Sequence, residues 1–511
     1  MRPRQYLARL VVACAALIGG AAGLAACDPD HYVIVTIDAP PAVHGATAVT
    51  VALSNAGTTR MDNLALRDHG FPVTFSISSP GRDGELAITV DALDAGGLVV
   101  GHGTATTTTA ATAATVSLTA MDFVVNTDYP GDQFPSDDFE ANGFQLAALA
   151  DDTWTAAYRD ACIADACNVL ARRFDRTGRP IASAIAASSN GFPVTTTTTS
   201  PTATVAVAAS QTTTLAVWDF NTVGTDVHGI ACRSLDGDGK AIPAQTTLAV
   251  EDVDVVSVAA LPSGDFVASW TLFGSESTQA IRAVTIKPDC TPGSEIQSVS
   301  SDPGLPFRGA VAASADGVLF TWLLDGQLHA RMADTDGALV SDDAVLVPAV
   351  GADQVLQARV AALPAGGFAV AVRWARFDAD VGAGRIELRR LDATGQPIGA
   401  PTLITDKSDS ADPNVDSFGL ASRPDGTLLV AWHTCAPFGD TSGCGVFGRM
   451  MRQTGEPVTD VFVVPTTTDG DQSAPSVVGL GDAFVVMWRD ASATLPDASG
   501  SSVRARLIYP P

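Results

Sequence analysis

The chain is 511 residues long, 46% of its residues are hydrophobic, and its formal net charge is −26. This excess of acid argues against a nucleic-acid-binding protein, because binding a phosphate backbone needs basic patches. It also argues against electrostatic docking on anionic lipid. A chain of this length is expected to fold into more than one domain.

Residues 1–26 are predicted to be a lipoprotein signal peptide. A basic head precedes an apolar run from Leu10 to Leu24, which is too short to span a bilayer comfortably. The sequence Leu24-Ala25-Ala26-Cys27 resembles the lipobox of bacterial lipoproteins, and this resemblance implies that Cys27 is lipidated and anchors the chain in a membrane. The alternative is an ordinary secretory signal with an accidental cysteine. We expect an outer-membrane lipoprotein of the bacterial cell envelope, facing the periplasm or the surface.

Cysteine usage fits an exported chain. Six cysteines remain beyond the signal peptide and Cys27, and an even number in an exported protein suggests disulfide bonds. Short separation predicts two local pairs and elimination predicts a third, namely Cys162–Cys167, Cys435–Cys444 and Cys232–Cys290. A zinc site is the alternative, but no histidine lies at ligand spacing near these pairs. No metal and no cofactor are predicted.

The patterning predicts an all-β chain. No segment has a sustained helical period flanked by caps, whereas short alternating runs separated by Gly, Asp and Pro turns fill the sequence. Residues 27–121 contain enough short runs for an immunoglobulin-like β-sandwich. These runs are Tyr32–Ile37, Ala48–Leu53, Val73–Ser78, Glu85–Ala92, Leu98–Thr104 and Thr115–Leu118.

Residues 122–511 repeat. In each copy a Gly/Asp turn leads into an apolar strand that ends in an aromatic residue, as in Asp265–Trp270. The seven copies end at Tyr158, Trp218, Trp270, Trp322, Val372, Trp432 and Trp488. A second strand follows, and in every copy but the third it carries an arginine: Arg172, Arg233, Arg331, Arg389, Arg449 and Arg506. In several copies an Asp-x-x-Gly turn then closes a hairpin.

Units of this length with four strands have the size of a propeller blade, so the repeats predict a seven-bladed β-propeller. The last copy ends after its third strand. However, Phe123–Thr127 matches Phe462–Thr466, the corresponding outer-strand segment of the copy before it. The beginning of the repeat region is therefore predicted to supply the outer strand of the last blade and so close the ring.

These repeats resemble the degenerate propeller repeats of large exported proteins in high-GC bacteria, especially myxobacterial lipoproteins. The resemblance rests on the turn, the aromatic strand and the arginine strand, although Tyr158 and Val372 depart from tryptophan. It implies a fold and says almost nothing about activity, because propellers host many functions.

The repeated aromatic residues are predicted to pack between blades rather than to form a ligand cage. The repeated arginines are predicted to brace the structure, because binding anions would require them to face the central channel. We can assign no Ser-His-Asp arrangement, and no arginine triad with the tyrosine nucleophile that sialidases use. His433, beside Trp432 at the mouth of the loop that Cys435 and Cys444 would close, is the one candidate binding residue.

The connections after the aromatic strands vary widely in length and open on one face of a propeller. The long ones are Arg373–Gly384, His433–Gly445 and Arg489–Ser502. Variable loops on a rigid scaffold often carry recognition, which favours a monomeric binding or scaffold protein with a protein or polysaccharide partner. The alternatives are a glycan-acting hydrolase or lyase, which would need paired carboxylates in the channel, and a purely structural envelope component. Aromatic residues make up only 6% of the chain, which weakens the case for a sugar-stacking platform.

Overall fold

The structure is a computed structural model that describes residues 32–511 apart from 67–69, 79–81, 127–143, 164–165, 182–191, 194–198, 223–226, 238–241, 243–244, 275–277, 302–303, 352, 377–383, 406–414, 436–442 and 495–499. The signal peptide and Cys27 lie outside the described residues. Every regular element in the described part is a β-strand, which confirms the all-β prediction. Nothing in that part forms a helix with the length and apolar character needed to cross a membrane.

The chain divides into two compact units, Met1–Met121 and Asp122–Pro511. The strands of the first unit are β1 (Tyr32–Asp38), β2 (Ala48–Asn55), β3 (Thr58–Ala65), β4 (Val73–Ser78), β5 (Glu85–Leu93), β6 (Val99–Thr108), β7 (Ala113–Ser117) and β8 (Thr119–Ala120). They form a three-stranded sheet with the order β4-β1-β7 and a five-stranded sheet with the order β3-β2-β5-β6-β8.

The two sheets of the first unit share one apolar core. Burial alternates along β1, where Val33 and Val35 point inward and their neighbours outward. These valines belong to the same core cluster as Val51 of β2 and Val90 of β5. The unit therefore consists of two layers that bury their facing side chains against each other.

The second unit contains β9 (Phe123–Val124), β10 (Phe144–Ala148), β11 (Trp154–Ile163), β12 (Ala166–Phe174), β13 (Phe192–Pro193), β14 (Thr199–Ala209), β15 (Thr214–Thr222), β16 (His228–Leu235), β17 (Thr246–Ala249), β18 (Val253–Ala260), β19 (Phe266–Leu272), β20 (Ala280–Ile286), β21 (Gln297–Ser298), β22 (Phe307–Ser314), β23 (Gly317–Leu324), β24 (Gln327–Ala333), β25 (Ala344–Val347), β26 (Asp353–Ala362), β27 (Phe368–Arg376), β28 (Gly384–Leu391), β29 (Thr402–Leu403), β30 (Val415–Ser422), β31 (Leu428–Thr434), β32 (Gly445–Met451), β33 (Phe462–Val463), β34 (Gln472–Gly479), β35 (Phe484–Asp490) and β36 (Ser502–Ile508).

These strands form seven antiparallel sheets of four strands, which we number in chain order from sheet 1 (β10-β11-β12-β13) to sheet 7 (β34-β35-β36-β9). The first strand of each sheet packs beside the first strand of the next, and β34 of sheet 7 also packs beside β10 of sheet 1. The sheets therefore follow one another around a closed ring, which is the arrangement of a β-propeller.

The beginning of this unit completes the last sheet, as the sequence match predicts. Phe123 and Val124 pair antiparallel with Ala505 and Arg504 of β36. Arg504 reaches two buried carboxylates, with Nη1 3.0 Å from Asp122 Oδ1 and Nε 2.7 Å from Asp490 Oδ2. Asp122 thus holds β9 to the third strand of sheet 7 through a charge-assisted hydrogen bond.

Four of the repeated arginines, Arg172, Arg331, Arg449 and Arg506, join neighbouring sheets. Arg331 Nη1 donates to the backbone carbonyl of Val299 at 2.9 Å, and Arg449 Nη1 donates to that of Ile404 at 3.0 Å. In each case the acceptor directly follows the fourth strand of the preceding sheet. These arginines satisfy buried carbonyls between sheets, in agreement with the bracing role predicted for them.

The repeated aromatic residues are core residues. Trp218, Trp270, Trp322 and Trp488 are fully buried. In sheet 5 the repeat places Val372 where the others have an aromatic residue, but Trp374 lies two residues further along β27 and is buried in the same cluster as Val372. Residues i and i+2 of a strand share a face, so one large ring fills each inter-sheet core.

Two predicted disulfide bonds are confirmed. Cys232 of β16 is bonded to Cys290, which follows β20, so this bond links sheet 2 to sheet 3. Cys435 is bonded to Cys444 and closes the connection between β31 and β32. The side chains of the third predicted pair, Cys162 and Cys167, lie outside the described part of the chain.

Candidate functional site

The strands of each sheet alternate in direction, so the first strand begins, and the second strand ends, at the same end of the ring. We call this end the mouth. In sheets 2 to 7 the register between these strands shifts there, at Pro201/Val205, Asp254/Val256, Phe307/Ala310, Val355/Gln357, Val415/Phe418 and Ser473/Ser476. Such irregularities re-aim side chains and are frequent beside functional sites.

At each register shift at least one residue of the first strand is left out of the strand pairing, and we call it a displaced residue. Three displaced residues have a left-handed backbone although they are not glycine. Val255, Arg308 and Ala474 have φ angles of 41°, 56° and 54°. A residue with a β-carbon adopts this conformation at an energetic cost, so the surrounding structure must hold it there. Arg308 is the only one of the three with a charged side chain, and the bulge determines where that charge lies.

Polar side chains at the mouth hold neighbouring sheets together. The backbone N–H of Val256 in sheet 3 donates to Thr204 Oγ1 in sheet 2 at 3.2 Å, and Val311 N donates to Ser257 Oγ at the next junction at 3.2 Å. Asp219 Oδ1 in turn accepts from Thr204 N at 2.7 Å. These bonds satisfy backbone groups that the bulges release from the regular ladder, so a polar residue here is not by itself a sign of ligand binding.

The candidate binding residue His433 is fully buried within β31. Its Nδ1 lies 2.8 Å from Ser417 Oγ and accepts the backbone N–H of Ala474 in sheet 7 at 3.4 Å. The prediction that His433 belongs to a binding loop is therefore wrong: β31 continues past Trp432 as far as Thr434. A buried imidazole at a sheet junction cannot contact a partner directly.

Three arginines that lie outside the repeat pattern gather at the mouth of sheets 4 and 5. Arg308 Nη1 donates to the backbone carbonyl of Leu356, the displaced residue of β26, at 2.8 Å. Arg373 of β27 lies opposite Gln357 of β26. Arg359 is two residues beyond Gln357, so Gln357, Arg359 and Arg373 share one face of sheet 5. Arg308 thus contacts sheet 5 through the Leu356 carbonyl, whereas the Arg359 guanidinium carbon lies 5.8 Å from the ring centre of Phe418 in sheet 6.

The pKa values of two of these arginines are lowered. Burial, followed by the charge of Arg373, lowers the pKa of the Arg308 guanidinium below its ordinary value. Burial, followed by the charge of Arg308, lowers the pKa of Arg359 to about 10. Arginine side chains are protonated at neutral pH, so these residues bring positive charge to this end of the ring.

One member of the arginine cluster (Arg308, Arg359 and Arg373), Arg308, lies beside an exposed apolar side chain. The Arg308 guanidinium carbon is 5.7 Å from the ring centre of Phe307, and 37% of Phe307 is exposed. Leu305, two residues before β22, is 45% exposed. An aromatic ring that stays accessible next to an arginine presents a flat apolar surface and a cation together.

Sheet 4 also has a short connection at the mouth. Asp325 and Gly326 alone link β23 to β24, with φ angles of 51° and 71°, as in a type I′ turn. The backbone N–H of Val355 donates to the Gly326 carbonyl at 2.8 Å, which fixes this turn against sheet 5. Parts of the long connections Arg373–Gly384, His433–Gly445 and Arg489–Ser502 lie outside the described residues, namely 377–383, 436–442 and 495–499.

Beyond the bulges the first strands carry small and apolar residues. Examples are Ala206–Ala209, Val258–Ala260, Ala310–Ala313, Val360–Ala362 and Val477–Gly479. The described residues also contain no group of three or more His, Cys, Asp or Glu side chains that could hold a metal ion.

No protein-family model matches the chain, and no curated protein matches it. Among solved structures it is similar to an α-L-arabinofuranosidase from Fusarium graminearum, with 15% identity over 60% of this chain and 92% of that one and a TM-score of 0.38. It is also similar to an α-L-arabinanase from Penicillium chrysogenum, with 12% identity over 76% of this chain and 98% of that one and a TM-score of 0.40.

A protein of unknown function from Dyadobacter fermentans is 11% identical over 76% of this chain and 99% of that one, with a TM-score of 0.42. Two of these three structures are glycan-acting enzymes. A glycan-acting hydrolase is also the alternative that we consider to a binding protein. Likenesses at this level of identity and superposition do not transfer an activity to the chain.

Proposed function

We propose that this protein is a lipid-anchored binding protein of the bacterial envelope, which presents the mouth of a seven-bladed β-propeller to a polysaccharide. The observation that carries the proposal is the mouth itself: the bulged strand ends, the disulfide-closed connection and the arginine cluster all lie there. A rigid ring that holds variable connections on one face is a suitable scaffold for recognition.

The two-layered first unit serves, in this proposal, as an immunoglobulin-like spacer between the anchor and the ring. Its eight short strands and shared core support that assignment. The two disulfide bonds support an oxidising compartment, in which such bonds persist. Metabolic labelling with a fatty acid tests the anchor, because the wild type should be labelled and Cys27→Ser should not.

The binding role is tested by replacing the three long connections at the mouth with two-residue turns like Asp325-Gly326. The readout is retention of the protein on immobilised polysaccharide purified from the envelope of the producing cells. Retention should be lost. The matched control exchanges a turn at the opposite end of the ring, Asp392–Gln396, for Asp334–Ala338, and should bind normally. Unchanged retention by the mouth variant would contradict a binding role for this face.

The second candidate is a glycan-acting hydrolase with its site in the same mouth. The specific observation in its favour is that the cluster and the exposed Phe307 ring could hold a saccharide close to the channel. Incubation with arabinan and with acidic polysaccharides, followed by assay of new reducing ends, separates the two roles. Sustained release of reducing ends would replace the binding role with an enzymatic one, whereas retention without release would leave the binding role in place.

A further inference from the structure

We infer that two exposed phenylalanines at the mouth, Phe273 at the end of β19 and Phe307 at the start of β22, form a stacking platform for the sugar rings of a neutral polysaccharide. This inference rests on the proposed function and names the chemistry of its ligand. It has three steps: the exposure of the two rings, their place on one continuous surface, and the charges that flank them.

The first step is the exposure of the rings. Phe273, which directly follows β19 in sheet 3, is 45% exposed, and Phe307, the first residue of β22 in sheet 4, is 37% exposed. Every other aromatic side chain of the ring whose burial is described is less exposed than these two. The remaining large rings mostly fill the cores between sheets, so two phenylalanines left in water at neighbouring sheets mark an interaction site.

The second step is their place on one surface across the junction of sheets 3 and 4. Phe273 lies one step beyond the last ladder pair of β19 and β20, which places it opposite Gln279. Gln279 Nε2 donates to the backbone carbonyl of Pro306 at 3.0 Å, and Pro306 directly precedes Phe307. A single glutamine side chain therefore joins the two backbone segments that carry the rings, and a chain of sugar rings can contact both.

The surface continues on the sheet 4 side. Burial alternates from exposed Leu305 through buried Pro306 to exposed Phe307, as expected where successive side chains point to opposite faces. Leu305 therefore extends the apolar surface beside Phe307. The connection between the next two strands of this sheet consists of Asp325 and Gly326 alone. Sheet 4 therefore contributes no long loop at the mouth that would cover the platform.

The third step is the charge beside the platform, which is of both signs. The backbone carbonyl of Asp252 accepts the N–H of Phe273 at 2.8 Å, and the Asp252 side chain is exposed. Asp325 is also exposed, and neither aspartate forms an ion pair with another described residue. The Arg308 guanidinium carbon lies 5.7 Å from the centre of the Phe307 ring. A ligand with a large net charge is therefore opposed by one of these groups, whereas a neutral chain is opposed by none.

A polysaccharide suits this surface better than an apolar protein does. Covering Asp252 and Asp325 with apolar side chains would leave two carboxylates without partners, which costs free energy. Sugar hydroxyls donate hydrogen bonds to carboxylates, while the C–H face of a pyranose ring can lie on a phenyl ring. A second copy of this chain is disfavoured as the occupant, because it would bring another net charge of −26.

The test uses polysaccharide purified from the envelope of the producing cells, treated with proteinase K and separated by anion exchange into a neutral and an acidic fraction. Biolayer interferometry measures the affinity of the full chain for each immobilised fraction. The wild type should bind the neutral fraction. Phe273→Ala and Phe307→Ala should each weaken this binding about tenfold, because each removes one apolar face of the platform. Phe273→Trp keeps a flat ring and should bind like the wild type.

Tyr32→Ala is the matched control, because Tyr32 is an aromatic residue of the first unit and is 50% exposed. It removes a ring of similar size and should leave the affinity unchanged. The Phe273 and Phe307 variants should unfold at the wild-type temperature because both rings are exposed, which separates a lost contact from a lost fold. The double variant Asp252→Asn/Asp325→Asn should gain affinity for the acidic fraction, because two like charges are removed.

Unchanged binding of the neutral fraction by both alanine variants would overturn the inference. Binding that proteinase K treatment abolishes would overturn it too, since the occupant would then be a protein, as would a wild-type dimer that Phe273→Ala converts into a monomer. If only the acidic fraction binds, and shortening the long connections at the mouth abolishes that binding, the proposed function stands and the neutral platform falls. If neither fraction binds, both fall.

Discussion

Arg172 donates a hydrogen bond from Nη1 to the backbone carbonyl of Val125 at 2.5 Å, as Arg506 does to the carbonyl of Val464. Both acceptors directly follow the fourth strand of the neighbouring sheet, β9 in one case and β33 in the other. The contact around Val125 therefore reproduces the ordinary junction between two sheets, although Val125 and β36 come from opposite ends of the unit. The ring closes by the same chemistry that joins its other sheets.

The first prediction concerns Arg504, which holds this closure. Arg504→Ala should lower the free energy of unfolding by about 3–5 kcal/mol, because Asp122 and Asp490 would both remain as buried, uncompensated carboxylates. Urea unfolding followed by tryptophan fluorescence measures it. The control Arg60→Ala breaks an exposed ion pair with Asp62 and should cost less than about 1 kcal/mol. Equal losses in the two variants would show that the buried pair does not hold the ring closed.

The second prediction concerns the aromatic residue of sheet 5. Trp374→Ala should destabilise the chain by about 3–5 kcal/mol, as much as Trp270→Ala in sheet 3, because each removes the large ring of one inter-sheet core. Val372→Ala should cost less, since a smaller side chain is removed. Thermal unfolding of the three variants tests this order. A larger loss for Val372→Ala would mean that Trp374 does not replace the repeat aromatic.

The third prediction concerns the disulfide bond between sheets 2 and 3. Its partners are 58 residues apart, so chain entropy predicts a stabilisation of about 4 kcal/mol for Cys232–Cys290, against about 2.5 kcal/mol for Cys435–Cys444 with its separation of 9. Unfolding of the paired serine variants measures both effects. Equal midpoints for the two paired variants would contradict the entropic ranking.

The fourth prediction concerns His433. His433→Ala should lower stability by about 1–3 kcal/mol, because Ser417 and the N–H of Ala474 would lose their partner at a buried junction. Its affinity for envelope polysaccharide should stay that of the wild type. If His433→Ala had the stability of the wild type but no longer bound the polysaccharide, His433 would have to be part of the binding surface.

Much of the fold can be predicted from the sequence because its signals are local. Three hairpin turns in the described part are specified by an aspartate that accepts backbone N–H groups two and four residues further on, as Asp392 does from Thr394 and Gln396. Each core strand is specified by an apolar run that ends in a large ring. Even the distant closure leaves a local trace, because β9 repeats the residues of β33.

The candidate site was not predicted because its signals are not local. Arg308, Arg359 and Arg373 come from two sheets, and the bulge at Phe307/Ala310 determines where Arg308 lies. Register shifts arise from the twist of neighbouring strands and have no consistent sequence pattern here. One clue was present: Arg308 and Arg359 interrupt inner strands that otherwise consist mainly of small and apolar residues. The prediction for His433 failed for the opposite reason. It relied on a local signal, the closeness of His433 to a loop in the sequence, but the side chain is buried within β31.

The most direct test of the central claim, that the mouth of the ring binds polysaccharide, is hydrogen exchange of the full chain with and without purified envelope polysaccharide. We predict slower exchange in Leu305–Ala310 and Gln354–Val360 at the mouth, and unchanged exchange in the turns Asp334–Ala338 and Asp392–Gln396 at the opposite end. Protection confined to those turns, or none anywhere in the ring, would contradict the claim.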